Sequence, residues 1–556
     1  MFSRALERRV QQIALLCTFL MTLVVTPWFS LDPINVPKFL ILVTCAFASI
    51  GYCLPSMNQL FKSEARLLAQ AIGFFCCSLI IVSLVSDSGV WADVYGEYGR
   101  NTGLLTYMGL AWMLLAVCLV SSPNFLRKLL WLMVATGNMN ALYGLVQWFG
   151  KDPIDWSNPY NPIIGTFGNS NFISSYLGIT SLVSAAILFE KSQDFLARTY
   201  LLGNIGLSIF VISVSQSSQG IIIFVLGLSL LIYFRFLIAL RFTLRIGYLF
   251  GVGIGLVFGL LGVLNSGPLA TLLYQDSVTY RGDYWRAGWR MTLDNPVFGV
   301  GLDAYGDWYR ASRNEDAVLR RGPEIISNSA HNVFLDFSSN GGLFLLIAYL
   351  LIVGLVIKSA ARLLLRLRHF DAIGMALVSA WLGYMIQSFI SINQLGLAIW
   401  GWTLGGAIIG YDFYQERHSL NKSKLQSVSV PEQISAATLL RGTLGVVFGF
   451  LISFWPLGQD MSFMKALESG DATKIELAAK QFPQNDYYYV YAGRIFLSNG
   501  LNVKALELTR LAIDSNPRLF EAWKLLMTNP NSTQTEKDSS ILQMRKLDPF
   551  NLTLDD

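Results

Sequence analysis

The stretch GLFLLIAYLLIVGLVI, residues 342–357, holds no charged residue and is nearly long enough to cross the hydrocarbon core of a bilayer. About thirteen such apolar runs of roughly 17–23 residues recur along the chain. A helix satisfies its own backbone hydrogen bonds inside lipid, so each run predicts one membrane-spanning helix. The runs cover residues 13–31, 38–54, 67–86, 104–121, 128–149, 172–189, 199–214, 218–234, 246–264, 342–357, 372–390, 396–413 and 440–457. The predicted fold class is therefore all-α, with a polytopic membrane domain over residues 1–457.

Composition and charge agree with a membrane protein and predict its orientation. Of 556 residues, 53% are hydrophobic and only 14% charged, which excludes an ordinary soluble protein. Lys and Arg concentrate in alternate loops, and this bias predicts a cytoplasmic N-terminus and, with an odd number of spans, a C-terminus on the outer side. The net charge of +5 follows from this bias and gives no indication of nucleic-acid binding. The loops predicted to be cytoplasmic contain Arg4, Arg8, Arg9, Lys62, Arg66, Arg127, Lys128, Lys191, Arg198, Arg235, Arg241, Arg245, Lys358, Arg362, Arg366, Arg368, Arg417, Lys422 and Lys424.

Cysteine placement indicates neither a disulfide framework nor a metal site. All six cysteines lie in or at the ends of apolar runs, and none forms a spaced pair in an outer loop. We therefore expect no metal and no cofactor. The six are Cys17, Cys45, Cys53, Cys76, Cys77 and Cys118.

One segment, residues 265–341, concentrates Arg, Asp and aromatic residues, and we call it the polar loop. The spans have almost no ionisable residue in their interiors, whereas ion-coupled carriers keep such groups at mid-membrane for function. This contrast predicts an enzyme that works at the membrane surface.

The polar loop contains a predicted helix, TYRGDYWRAGWRM at residues 279–291, that ends before Pro296. Arg286 and Arg290 share one face of it, as do Trp285 and Trp289, and Arg281 lies one turn before the Trp pair. Guanidinium groups beside aromatic rings suit a phosphate-bearing sugar donor. The same pattern also fits an interfacial helix with Trp at headgroup depth.

Two further features of the polar loop invite a functional interpretation. His331 lies at the end of the loop, where a neutral imidazole can take a proton from an acceptor hydroxyl near neutral pH. The alternative is a residue that starts a helix and has no chemical role. Residues 298–301 read Phe-Gly-Val-Gly, and a tight turn explains them better than a phosphate site, which needs a strand and a further glycine.

Residues 458–556 form a second predicted domain, expected on the outer (periplasmic) side. The sequence from Asp460 onward is polar and helical in pattern, and Asp548-Pro549 follows Asn516-Pro517 at a spacing of thirty-two residues. This spacing resembles the tetratricopeptide repeat. Such a domain is either a docking platform for a protein partner or a glycan chain, or a helical cap on the membrane domain.

These motifs together resemble one known family. Residues 329–335, Ser-Ala-His-Asn-Val-Phe-Leu, followed by Asn340-Gly341-Gly342-Leu343, are similar to the signature of the O-antigen ligase and O-antigen polymerase superfamily. Three other stretches agree with it: Arg281-x-x-x-Trp285 leading to residues 295–301, Gly165–Phe172, and Gly99–Leu104. The resemblance spans roughly residues 90–410 and covers ligases, polymerases and protein-glycosylating members alike.

The resemblance implies a metal-independent, inverting glycosyltransferase of the bacterial inner membrane with its site on the periplasmic face. Its donor would be a glycan linked through diphosphate to undecaprenol, and its acceptor a glycan, a lipid or a protein. Arg281 matches the family arginine that engages the diphosphate, and His331 matches the histidine that activates the acceptor hydroxyl. Many members also have an arginine in a Ser-Arg-Gly segment, where this chain has Gln219, which brings no charge.

The predicted site follows from these arguments. His331 and Arg281 are the predicted catalytic residues, and Arg100, Arg286 or Arg290 is expected to supply the second cation. The predicted substrate-binding residues are Arg100, Gln219, Trp285, Arg286, Arg290 and Asn332. A transporter of lipid-linked glycan or polysaccharide is the alternative function, but it predicts polar side chains along a central cavity, of which the spans offer few. A non-enzymatic scaffold is a third hypothesis, and it predicts no dependence on His331.

Overall fold

A computed structural model describes residues 3–86, 88–156, 163–190, 193–238, 240–367, 369–420 and 434–554. Lys191, Arg368, Lys422 and Lys424, which contribute to the predicted orientation, lie outside the described residues. The helices are, in chain order, α1 (Arg4–Leu23), α2 (Asn35–Cys53), α3 (Met57–Leu60), α4 (Arg66–Val85), α5 (Val90–Tyr95), α6 (Leu104–Val120), α7 (Pro123–Trp148), α8 (Ser170–Leu188), α9 (Phe195–Val214), α10 (Gln219–Ile232), α11 (Phe242–Val263), α12 (Ala270–Leu273), α13 (Asp276–Asp294), α14 (Tyr305–Ser312), α15 (Glu315–Arg321), α16 (Val333–Leu365), α17 (Ala372–Ile390), α18 (Leu395–Leu420), α19 (Ala436–Ser469), α20 (Ala472–Ala479), α21 (Asp486–Ser498), α22 (Asn502–Ser515), α23 (Phe520–Thr528) and α24 (Gln534–Leu547).

The predicted all-α membrane fold is confirmed. Within the described residues, ten helices are long and apolar enough to cross a membrane, and each lies at a predicted run. The helix at the run 104–121 is apolar but has only 17 residues, and α1 and α18 lie at the two other runs. The run predicted at 13–31 is wrong at both ends. The Ser3 hydroxyl caps a helix that already begins at Arg4, and this helix ends at Leu23, before Pro27.

Close helix packing builds the centre of the bundle. Helices α8 and α17 are largely buried, whereas α11 is almost entirely exposed at the periphery. Gly406 of α18 lies so close to α6 that a Cβ there would be 2.1 Å from the carbonyl oxygen of Leu114. Small residues allow such backbone approach in membrane helices, where no hydrophobic drive brings helices together.

The polar loop folds back onto α16, which is broken at Gly342 (φ 67°, ψ −172°). The Val300 and Gly301 amides donate to the carbonyl oxygens of Ser339 and Asn340, at 2.9 and 3.0 Å. Gly299 has a φ of +68°. The prediction of a tight turn at residues 298–301 is confirmed, since these amides bond to α16 and are not free to hold a phosphate.

The last apolar run is followed by helices α20–α24, which we call the C-terminal domain. The predicted boundary at residue 457 falls inside α19, which continues without interruption to Ser469. Helices α21 and α22 pack as one pair, and α23 and α24 as another. This domain is anchored to the polar loop by Arg313, whose guanidinium lies 2.7 Å from the Asp548 carboxylate. The tetratricopeptide assignment itself stays a prediction.

Candidate active site

The start of α16 holds His331 in a fixed position. Asn332 caps this helix, because its Oδ1 accepts hydrogen bonds from the amides of Phe334 and Leu335 at 3.0 and 3.2 Å. His331 itself has a φ of +53°, a backbone conformation uncommon outside glycine. The side-chain Oδ1 of Asn332 is thus already bonded to backbone amides of α16. Any contact that Asn332 makes with a substrate stays a prediction.

A buried carboxylate organises the backbone around His331. Asp336, in the first turn of α16, accepts hydrogen bonds from the Ala330 amide at 2.8 Å and from the Ser329 hydroxyl at 2.9 Å. The Ser329 hydroxyl in turn accepts from the His331 amide at 3.0 Å. Sequence reasoning missed Asp336. The only available signal was its position in the first helical turn after the Ser-Ala-His-Asn motif.

The imidazole of His331 is arranged to accept a proton. Its Nδ1 lies 3.2 Å from the Ser329 carbonyl oxygen. An Nδ1–H that donates there leaves the lone pair on Nε2. Burial, together with the charges of Arg281, Arg100 and Arg321, lowers the pKa of His331 from 6.5 to about 4. The ring is therefore neutral near pH 7.

Arg281, on α13, is a half-buried guanidinium with unmet hydrogen-bonding capacity. Its buried Nε has no hydrogen-bond partner, and no ion pair joins it to a described carboxylate. Burial lowers its pKa from the usual arginine value. The indole Nε1 of Trp285, one turn further along α13, is likewise buried without an acceptor. Each buried hydrogen-bond donor without an acceptor lowers the stability of the folded protein by about 1–3 kcal/mol. An anionic ligand that accepts from these donors would remove this cost.

Arg321, at the end of α15, is a second cation near His331 that the sequence did not single out. Its guanidinium lies 4.1 Å from the Tyr280 ring centroid and donates to the Tyr284 hydroxyl. The Tyr284 ring lies 5.0 Å from the imidazole of His331. No ion pair connects Arg321 to an acidic residue in the described part of the chain. Arg321 thus joins Arg281 as a guanidinium whose charge is not neutralised by a carboxylate.

The other predicted arginines each face a carboxylate. Arg100 Nε lies 3.1 Å from Asp303 Oδ1, and its guanidinium also donates to the Asn328 carbonyl oxygen, three residues before His331. Arg286 is exposed and lies 2.7 Å from Asp283. Arg290 is exposed as well, with its Nε 3.9 Å from the Asp294 carboxylate. Arg286 and Arg290 do share a face, as predicted, but that face points outward.

Gln219 lies at the start of α10 and is buried. Its Oε1 accepts a hydrogen bond from the Ser175 hydroxyl at 3.1 Å, while its Nε2 has no partner. No hydrogen bond, ion pair or ring contact joins Gln219 to His331 or Arg281 among the described residues. The structure brings together Arg281, Arg100 and His331 of the predicted set, and it leaves Gln219 outside that cluster.

The part of the chain that the structure describes contains no group of three His, Cys, Asp or Glu side chains able to hold a metal ion. The arrangement instead places one neutral imidazole beside several guanidinium groups at one end of the helix bundle. The fold and site define a polytopic membrane protein with a cationic, histidine-containing site.

Comparison with known proteins finds one matching family model. Residues 202–350 match the family model described as O-antigen ligase, and this segment contains Arg281, Arg321 and His331. The match covers about a quarter of the chain and supports a relationship between this segment and the O-antigen ligase superfamily. No curated protein matches the chain.

Proposed function

We propose that the protein is a metal-independent, inverting glycosyltransferase that transfers or polymerises a glycan carried on undecaprenyl diphosphate. We place the reaction at the periplasmic face of a bacterial inner membrane, with the N-terminus in the cytoplasm and the C-terminal domain in the periplasm. The observation that supports this best is the neutral imidazole of His331 beside the guanidinium groups of Arg281 and Arg321. A base next to uncompensated cations suits a reaction that deprotonates one substrate and builds negative charge on the other.

The proposed reaction is a single displacement. His331 Nε2 takes the proton from an acceptor hydroxyl as its oxygen attacks the anomeric carbon of the donor sugar. The bond from that carbon to the diphosphate oxygen breaks, its electron pair leaves with the lipid diphosphate, and the configuration inverts. Arg281 and Arg321 stabilise the charge that develops on the leaving group. The negative charge of the departing diphosphate also offsets the positive charges of the arginines around His331. This favours the protonated imidazole after the proton has passed from the acceptor hydroxyl to His331.

The other residues have supporting roles in this proposal. The Trp285 indole N–H, one turn from Arg281, has no acceptor in the structure and is proposed to donate to an oxygen of the donor. A contact between the Gln219 amide and the donor stays a prediction, since Gln219 lies outside the cluster around His331. Arg100 positions the segment before His331 through its bond to the Asn328 carbonyl oxygen. Arg286 and Arg290 are weaker electrostatic contributors, since a carboxylate already faces each of them. The acceptor is a glycan, a lipid or a protein.

Transfer by purified protein in nanodiscs tests the proposal. With a defined undecaprenyl-diphosphate-linked glycan as donor, glycan, lipid and protein acceptors are offered in turn. His331→Ala and Arg281→Ala are each expected to lower transfer at least about a hundredfold. His418→Ala is the matched control, because His418 is exposed and lies at the far end of α18. Unchanged product ladders in the first two variants would remove both residues from the mechanism.

A further inference from the structure

A second site lies between the polar loop and the C-terminal domain. A cavity of about 300 Å³ is enclosed by α5, the start of α14, α19 and the start of α21. A neighbouring cavity of about 230 Å³ extends toward α23. Both are lined by the same four acidic residues, so the two cavities meet at this acidic cluster, which consists of Glu97, Asp303, Asp307 and Asp486.

Several polar groups around the acidic cluster have unused hydrogen-bonding capacity. Asn101 lines the larger cavity, is only 4% exposed, and its Oδ1 has no hydrogen-bond partner. The Glu97 carboxylate makes no hydrogen bond or ion pair with any described residue. By contrast, the Asn516 amide bridges Asp307 and Asp486 at 3.0 and 2.9 Å. A ligand that offers hydroxyl groups would meet the needs of Asn101 and Glu97 together.

Electrostatics restricts the charge of such a ligand. Burial and the neighbouring Asp486 raise the pKa of Glu97, and they raise the pKa of Asp307 to about 7. A protonated carboxyl group can donate a hydrogen bond and an ionised one can only accept it. Each carboxyl group of the cluster that is ionised repels phosphate and uronate groups, in contrast to the cationic surroundings of His331.

Aromatic side chains line the same cavity. Trp91 is 39% exposed, lies nearly parallel to the Tyr95 ring at 6.1 Å, and meets the Phe482 ring edge-on at 4.7 Å. Tyr98 stacks on Tyr487 at 3.9 Å. A rigid, partly exposed aromatic surface beside planar polar groups suits a ring with an apolar face and a hydroxyl-bearing edge.

We propose that this cavity binds uncharged sugar units of a glycan chain, with ring faces against Trp91 and hydroxyl groups bonded to Asn101 and Glu97. The proposal rests on the proposed function and identifies where one glycan substrate is held. A structural connection links the two sites, because Asp303 of the acidic cluster pairs with Arg100, which bonds to the segment before His331. The sugar units therefore lie next to the reaction site but outside its cationic part.

Glycan binding by the full-length protein tests this inference. Protein in nanodiscs is applied to an array of bacterial oligosaccharides that are uncharged, uronate-bearing or phosphate-bearing. Binding to uncharged members is expected, and Trp91→Ala and Glu97→Ala should each weaken it at least about tenfold. Trp28→Ala and Glu468→Ala are matched controls, since both residues are exposed and lie outside the cavity. Thermal unfolding establishes that each variant is folded.

Each result of these experiments supports or overturns the inference. It is overturned if no uncharged glycan binds, if acidic glycans bind equally well, or if both cavity variants bind as the wild type does. His331→Ala should lose transfer and keep array binding. Wild-type protein that binds uncharged glycan on the array but transfers no glycan would refute the proposed function alone. Unchanged KM values for both glycan substrates in Glu97→Ala would refute the cavity alone. Competition by free acceptor or by lipid-linked donor shows which substrate supplies the sugar units.

Discussion

Arg281→Met and Arg313→Met replace two inward-facing arginines and are expected to have opposite effects on stability. Arg281 has a buried Nε without an acceptor and no carboxylate partner, so methionine removes an unmet donor that costs about 1–3 kcal/mol. The free energy of unfolding should stay constant or rise. The Arg313 side chain is 1% exposed, and its Nη2 lies 2.7 Å from the buried Asp548 carboxylate. Its loss should cost about 3–5 kcal/mol, nearer the lower value because Arg310 still faces Asp548 at 3.1 Å.

The two variants should rank in the opposite order in activity: Arg281→Met is expected to be the more stable variant but the less active one. Arg281→Met removes a cation that acts on developing charge, which typically lowers kcat by about 10²–10³-fold. Arg313→Met should keep its kcat at temperatures where the protein is folded. Thermal unfolding in nanodiscs and single-turnover glycan transfer measure the two quantities. The reasoning is refuted if Arg281→Met unfolds as early as Arg313→Met, or if it transfers glycan within about threefold of the wild-type rate.

Three further predictions concern the base, its support and the helix break. Since burial and nearby cations hold the pKa of His331 at about 4, kcat/KM should fall only as the pH drops toward this value and protonates the imidazole. Asp336→Asn, which weakens the hold on Ser329, should lower kcat far more than it changes KM. Gly342→Ala should lower the free energy of unfolding by at least about 2 kcal/mol, because a Cβ there would lie 2.2 Å from a backbone oxygen, whereas Gly354→Ala meets open space.

Specific outcomes would contradict these predictions. An acidic limb of kcat/KM near pH 7 would show that His331 in the free protein does not have the lowered pKa that its burial requires. A rise in KM with constant kcat in Asp336→Asn would indicate a role in binding rather than in positioning. Equal unfolding temperatures for Gly342→Ala and Gly354→Ala would mean that the break in α16 is not fixed by its backbone conformation.

The membrane helices were predictable because the signal for a lipid-spanning helix is local. An apolar run can be recognised without knowledge of its neighbours, and so the runs at 172–189 and 372–390 differ from α8 and α17 by at most two residues at either end. The N-terminal helix was misplaced because Ser3 caps a charged first turn, which hydropathy alone does not register. The break at Gly342 depends on contacts with residues 296–301 and was not predicted.

The candidate site was predictable only in part. Motif resemblance predicted Arg281 and His331 as catalytic residues, and the structure places the Arg281 charge near enough to His331 to lower its pKa. It gave no indication of Arg321, because the position of α15 over Tyr280 depends on the tertiary packing of the polar loop. Helical periodicity correctly placed Arg286 and Arg290 on one face, but periodicity does not reveal whether a face points toward the site or toward solvent.

The cavity beside the C-terminal domain was beyond any local sequence pattern. Its acidic residues are separated by up to several hundred positions, from Glu97 to Asp486, and they meet only because the C-terminal domain docks on the polar loop. The repeat-like spacing in the sequence predicted helices and left open whether they form a docking platform or a helical cap. The spacing did not predict which surface of the C-terminal domain packs against the polar loop.

Chemical rescue of His331→Ala tests the central claim most directly, because it asks whether an imidazole at this position is the base. With purified protein, a lipid-diphosphate-linked glycan and a defined acceptor, the variant should lose transfer. Added imidazole should restore part of it, together with release of the lipid diphosphate. If His331→Ala transfers glycan at the wild-type rate without added imidazole, and unfolds at the wild-type temperature, the proposed mechanism is wrong.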